Sequence, residues 1–116
     1  MAGDDCIFCK IASGSVKAVV VYADDRVIAF DDIKPRAPVH VVIVPRRHIG
    51  MLSELEEKDA GLLGELLMAA KKIAEEKGIA GSGYRIVANC GKDAGQEVPH
   101  IHIHLLGGRK FAWPPG

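Results

Sequence analysis

His100-Ile101-His102-Ile103-His104-Leu105-Leu106 is the stretch that decides how this chain folds. Successive side chains of a strand point to opposite faces. Read as a strand, it puts His100, His102 and His104 on one face and Ile101, Ile103 and Leu105 on the other. The apolar face seats the strand in a core, and the other presents three imidazoles in a row. The chain has 5 histidines; the remaining ones are His40 and His48, so most crowd into one short segment. Three such rings can hold a metal. They can also surround an anionic substrate, one ring as nucleophile and the others as donors. The plain alternative is a solvated polar face, and the scarcity of histidine weighs against it.

Working outward, Glu97-Val98-Pro99 leads into this strand and Gly107-Gly108 ends it. Phe111-Ala112-Trp113-Pro114-Pro115-Gly116 is a stiff apolar tail that needs a docking surface, on its own domain or on a partner chain. Upstream, Tyr84 to Asn89 reads as a fourth strand. The flexible turn Gly91 to Gln96 separates the two. Ser53-Glu54-Leu55-Glu56 has the capping-box pattern, which predicts a helix from there to about Lys77. Leu62, Leu66, Ala69 and Ile73, with Leu63, Leu67, Ala70 and Ala74, form its apolar stripe. Gly78 falls just past its end. Gly61 and Gly64 each weaken the helix by about 1 kcal/mol relative to Ala, which a closely approaching backbone would explain.

His40 to Pro45 is a third strand, and its continuous apolar run predicts a central, buried position. Val19 to Tyr22 and Val27 to Asp31 form a hairpin around Ala23 to Arg26. Pro35 and Pro38 stiffen the following loop. That loop holds Asp32, a carboxylate able to accept from both hydroxyls of a ribose. Residues 1–5 read as loose, and Cys6 to Ser13 as a short helix stopped by Gly14. Cys6 and Cys9 have C-x-x-C spacing. A redox pair would follow a strand, and none precedes it; half a zinc site or two small buried residues are the open readings. The order is helix, hairpin, strand, long helix, strand, strand. That predicts an α+β fold with a five-stranded antiparallel sheet and both helices on one face. A free sheet edge invites pairing between chains.

At 116 residues, a single domain over 1–116 is expected, burying roughly two-thirds of its unfolded surface. Lys plus Arg and Asp plus Glu each number 15, so net charge supplies no general attraction to nucleic acid or a membrane surface. No stretch is long and apolar enough to span a membrane. The first residues lack a signal-peptide pattern and the cysteines are odd in number, 3. A cytoplasmic location is therefore expected, not a secreted disulfide framework.

His100-x-His102-x-His104, followed by Leu105-Leu106, resembles the signature of the histidine triad family. Cys6-Ile7-Phe8-Cys9-Lys10-Ile11, Asp31-Asp32-Ile33-x-Pro35, Ala37-Pro38-x-His40, Pro45-x-x-His48-Ile49, Val87-x-Asn89, Gly95-Gln96-x-Val98 and Leu106-Gly107-Gly108-Arg109 also fall where that family has them. The Trp113-Pro114-Pro115-Gly116 ending is similar to the Hint branch, the histidine triad nucleotide-binding proteins.

The resemblance implies a homodimer whose sheets join into ten strands, and a purine-nucleotide site that hydrolyses adenosine 5'-phosphoramidates. By position, Ile7, Phe8, Ile11 and Phe30 would line the base pocket, Asp32 would hold the ribose, and Ile33 would pack beside it. Asn89, Gly95, Glu97 and Val98 would surround the phosphate. Trp113 would reach toward the neighbouring subunit's leaving-group site. Glu97 stands where animal Hint proteins carry a Ser near the leaving group, which bears on substrate preference. Those proteins also lack the cysteine pair. Many bacterial relatives carry it, and there it resembles a structural zinc site that here would be Cys6, Cys9, His48 and His100. The remaining readings are a dinucleoside polyphosphate hydrolase, a regulatory nucleotide-binding module with incidental hydrolysis, and a zinc hydrolase built on the triad.

Residue chemistry suggests the division of labour. Unperturbed imidazole titrates near pH 6.5, so a neutral ring is available at neutral pH. His102, with donors on both sides, is the expected nucleophile, forming a nucleotidyl-imidazole that water then hydrolyses. His104, His40 and backbone amides near Gly95 to Val98 would stabilise phosphoryl charge, with His100 completing the catalytic set. A backbone carbonyl within the strand is expected to fix the tautomer of His102. With no magnesium ligand cluster in the sequence, the chemistry is expected to need no metal cofactor.

Overall fold

The computed structural model describes residues 5–116, so most of the N-terminal stretch read as loose lies outside the described residues. The first element is a helix, α1 (Ile7–Ser13). Cys6 caps it through its sulfur, which accepts from the Cys9 amide at 3.4 Å. Gly14, at φ 84°, closes it in the left-handed conformation that glycine adopts without cost. The hairpin of β1 (Val20–Ala23) and β2 (Val27–Asp31) follows. Its turn is held by the Asp24 carboxylate, which accepts from the Arg26 and Val27 amides, both at 2.8 Å.

Then come β3 (Val39–Pro45), α2 (Ala60–Glu76), β4 (Tyr84–Val87) and β5 (Ile103–Gly107). The five strands lie in the order β1-β2-β3-β5-β4, every neighbour antiparallel. β3 is central and buried from His40 to Pro45, as its apolar run predicts. No described helix is long and apolar enough to cross a membrane.

The sheet buries both faces. Val27, Ala29, Val41, Ile43, Ile103 and Leu105 pack on Leu66, Ala69, Ala70, Ile73 and Ala74 of α2. Full burial of a side chain such as Leu66 or Ile73 contributes about 1.5–3 kcal/mol. On the reverse face, Ile28, Phe30, Val42 and Val44 meet Cys6 and Phe8. The helices therefore lie on opposite faces, not together on one as expected. The cause is in the strands themselves: β2 and β3 carry bulky apolar residues at consecutive positions, so a second apolar face remains that α2 cannot reach.

Three boundaries also differ. The long helix begins at Ala60, not at Ser53. Two short 3-10 turns, Leu52–Glu54 and Glu57–Asp59, fill the gap. Buried Asp59 precedes the helix without capping it by its side chain; its carboxylate accepts from the Glu56 amide at 2.9 Å, closing the second turn, and from Arg47 at 2.8 Å. Leu55 between the turns is extended and packs beside Ile49, Leu62 and Ile101, which a continuous helix would prevent.

The ladder of the triad strand begins only at Ile103, where it faces Ile43. Continuing it would bring Ile101 opposite Pro45, which has no N–H to donate. The Ile101 amide bonds to the Ile49 carbonyl instead, at 2.6 Å. β4 stops at Val87, opposite His104, two residues short of the expected Asn89. The face alternation survives all the same: Ile101, Ile103 and Leu105 sit on the α2 side, and the three imidazoles on the other.

Within α2, Leu67 is 46% exposed despite its place in the predicted stripe. A Cβ at Gly61 or Gly64 would meet nothing within 4 Å, so no neighbouring backbone in this chain explains either glycine. Gly64→Ala should therefore stabilise the isolated chain by about 1 kcal/mol. Urea denaturation checks this, and a loss of stability would mean that a second surface covers the position.

Candidate active site

The face of the sheet carrying α1 holds a cavity of about 490 Å³. That volume lies within the range of small-ligand sites. α1 supplies Ile7, Phe8 and Ile11 to its wall, β3 supplies His40 and Val42, and β5 with the segment before it supplies His102 and His104. The loop after β2 adds Asp32 and Ile33, and the turn after β4 adds Asn89, Gly95, Glu97 and Val98. That turn is pinned by Gln96, whose amide nitrogen donates to the carbonyls of Gly50 and Val98 at 2.8 and 3.0 Å. Its oxygen accepts from the Gly91 amide at 2.9 Å.

Three expected residues stand elsewhere. Phe30 is buried beneath Phe8, ring centroids 5.4 Å apart, and supports the wall without lining it. Trp113, expected to reach toward a neighbouring subunit's site, is 81% exposed and lies outside this chain's own cavity. His100 is fully buried behind it. Conversely, Lys34, Arg36 and Val42 line the cavity without having been singled out. For the two cations a signal was available: basic residues flanking a proline directly after Asp32.

The triad rings are chemically alike, but each is fixed differently. His102 Nδ1 lies 2.7 Å from the His100 carbonyl. A carbonyl only accepts, so the proton sits on Nδ1 and the lone pair is on Nε2. His100 Nε2 donates to the Pro45 carbonyl at 2.8 Å, which leaves its lone pair on Nδ1. His104 Nδ1 is 2.9 Å from His40 Nε2. His40 Nδ1 in turn accepts from the Arg36 amide at 3.1 Å, and its Nε2 also lies 3.4 Å from an Asp32 oxygen. His40 and His104 are thus hydrogen-bonded to each other, with the Asp32 carboxylate beside them.

Burial keeps these rings neutral. It pushes His102 and His40 below the ordinary imidazole value, with the nearby Asp32 carboxylate opposing the shift in each. His104 goes down to about 4 through burial and through its neighbours His102 and His40.

A second cluster lies directly behind. Cys6, Cys9, His48 and His100 bring one ligand atom each to within 4.8 Å of one another. His100 Nδ1 is 3.3 Å from the Cys6 sulfur and 3.5 Å from that of Cys9. His48 Nδ1 is 3.2 Å from the Cys9 sulfur and 3.2 Å from His100 Nδ1. A tetrahedral zinc ion sets its sulfur and nitrogen ligands roughly 3.3–3.8 Å apart. The donor set fits zinc: two soft thiols and two imidazoles, one with its lone pair turned inward by Pro45. Burial, then the hydrogen bond and charge of Cys6, push the Cys9 thiol up to about 11. Two thiolates at this spot therefore call for a cation between them.

The sequence model of the HIT domain matches residues 13–111, and the chain belongs to that family. An uncharacterized HIT-like protein of Synechocystis is 47% identical over 113 residues, 97% of this chain and 98% of that one. Among solved structures, a HIT family hydrolase from Legionella pneumophila superposes with a TM-score of 0.95 at 48% identity. The match covers 97% of this chain and 100% of that one. A histidine triad protein from Clostridium difficile gives 0.93 at 45% identity, covering 97% of each.

One zinc ion per chain is the expected content of protein purified without added metal. Cys9→Ser should lose the ion and melt at a lower temperature. Elemental analysis and thermal melts check both, and protein that is free of zinc yet melts unchanged would remove the site.

Proposed function

We propose that this chain is a purine nucleoside phosphoramidase of the Hint type, cleaving the P–N bond of adenosine 5'-phosphoramidates. The observation that carries the reading is the Nε2 lone pair of His102 beside the cavity, its other nitrogen tied to the His100 carbonyl at 2.7 Å. A locked, neutral imidazole next to a nucleotide-sized cavity is what in-line attack on phosphorus requires. The hydrolase name of the Legionella relative supports the reaction class.

The nucleotide base rests on Ile7, Phe8 and Ile11, and Asp32 accepts from the ribose hydroxyls. His102 Nε2 attacks the α-phosphorus, the P–N bond breaks, and the amine leaves with a proton from solvent at the mouth bordered by exposed Ile33 and Glu97. His104, protonated on Nε2, donates to a phosphoryl oxygen, assisted by amides of the Gly95–Val98 turn and by Asn89. Water then cleaves the nucleotidyl-imidazole, releasing the nucleoside monophosphate and restoring His102. His40 acts behind His104. His100 acts through its carbonyl on His102 and through its ring on the metal cluster. Zinc, when held by Cys6, Cys9, His48 and His100, supplies a structural tie between α1 and the triad segment and takes no part in the chemistry.

The active form is a homodimer in which the sheets join edge to edge, in the cytoplasm, where the free thiols stay reduced. Exposed Leu67, Met68 and Tyr84 on α2 and edge strand β4 support that assembly. Sedimentation should give a dimer at micromolar concentration; a monomer there would exclude it.

His102→Ala should bind adenosine monophosphate as the parent does and lose phosphoramidate turnover by at least about 10³-fold. In the parent, the acid limb of kcat/KM should fall below pH 6.5, because a lowered pKa keeps the nucleophile neutral to lower pH. Parent-like turnover in the variant, or a limb above pH 6.5, would contradict the assignment.

A further inference from the structure

The exit of β5 lies against the loop between β2 and β3, and the two are clamped together. Arg109 donates to the Arg36 carbonyl from Nε at 3.1 Å and from Nη2 at 3.0 Å. Its third nitrogen donates to the Lys110 carbonyl at 3.2 Å. The guanidinium stacks on the Phe111 ring at 4.2 Å, and Arg85 approaches the same ring at 5.1 Å. Gly108, at φ 88°, lets the chain pass so close to Pro38 that a Cβ there would meet the proline at 2.8 Å. The loop is thus gripped at Arg36 and at Pro38.

The carbonyl gripped by Arg109 and the N–H that faces the histidine pair belong to the same residue, Arg36, in adjacent peptides joined at its Cα. The Arg36 N–H points at His40 Nδ1. An amide only donates, so that nitrogen carries the lone pair and His40 holds its proton on Nε2. The nearest acceptor is His104 Nδ1 at 2.9 Å, closer than the Asp32 oxygen at 3.4 Å. His104 then holds its own proton on Nε2, the nitrogen that donates to the phosphoryl group in the function proposed above.

We propose that Arg109 is a positioning residue: by holding Arg36 at its carbonyl it keeps that residue's N–H on His40, so that the tautomer of His40 is set and through it His104 is made a donor. Arg109 lines no part of the cavity and stands 73 residues from Arg36 in sequence. Without it Arg36 is free to shift and its N–H to leave His40; His40 can then take its proton on Nδ1, and His104 Nδ1 loses the donor that fixes its tautomer. Asp32 has its own tether, accepting from the Lys34 amide at 2.8 Å. The proposed contact of Asp32 with the ribose is therefore kept.

The test is ¹⁵N NMR of the imidazoles in the full-length protein, with kinetics alongside. In the parent, His40 and His104 should both show the Nε2–H form. Arg109→Ala should turn both into tautomer mixtures, leave the His48 and His100 signals unmoved, and lower kcat roughly tenfold at unchanged KM, as expected for one transition-state hydrogen bond. Arg109→Lys, which keeps a single donor, should restore most of both. Parent-like tautomers in Arg109→Ala would overturn the proposal, whatever the rate does. Should that variant not fold, Arg109→Gln is read the same way. The spectra need no substrate, so lack of phosphoramidate turnover in the parent would count against the proposed activity and leave this coupling standing.

Discussion

The missing N–H of Pro45 shapes everything around the triad. β3 and β5 pair as far as Ile43 and Ile103 and then part. From there the backbone and side chains of residues 100–102 must find partners off the ladder, because buried polar groups left unpaired cost about 1–3 kcal/mol each. They find them in specific places. The His100 ring takes the Pro45 carbonyl, the His100 carbonyl takes the His102 ring, and the Ile101 amide takes Ile49. Identical side chains thereby acquire different roles: His102 holds its proton on Nδ1, while His100 and His104 hold theirs on Nε2 and turn it to different partners. One faces thiols, one faces the cavity as a base, and one faces it as a donor.

Much of this was legible beforehand. Alternation of His with Ile or Leu gave the faces, the run from Val41 to Val44 gave the central strand, and Gly14 gave the helix stop. Family likeness brought together residues that no local pattern could join, such as Cys6 with His100. What was not legible has physical causes. The capping box at Ser53 is a local motif, and the tertiary pull on Leu55 and the Arg47–Asp59 pair overrode it. The placement of α1 on the far face depended on counting both faces of β2 and β3 as apolar, which a strand-by-strand reading does not do. Phe30 has the composition of a pocket residue, but a neighbouring aromatic, Phe8, stands between it and the cavity. The part played by the Arg36 N–H left no trace, since any residue there but proline would present the same amide.

The electrostatics follow one theme. Burial lowers the proton affinity of His40, His102 and His104, and Asp32 partly offsets it. The result is a neutral, hydrogen-bonded set of rings beside two cations, Lys34 and Arg36, at the cavity wall. Neutral imidazoles can attack or donate without first shedding or gaining a proton, and the flanking cations favour an anionic ligand.

Helix α1 is only 7 residues long, too short to persist alone in water. It holds together because one face lies on the sheet and its cap sits among the sulfur and imidazole groups. The same two turns form a wall of the cavity. With no metal in that cluster, the molecule should therefore come apart in a definite order: this flank opens at low free energy while the α2 side stays closed. Native-state amide exchange would register that order as weak protection in α1 and strong protection in β3. The entrance to the cavity and the weakest seam of the metal-free fold are then one and the same.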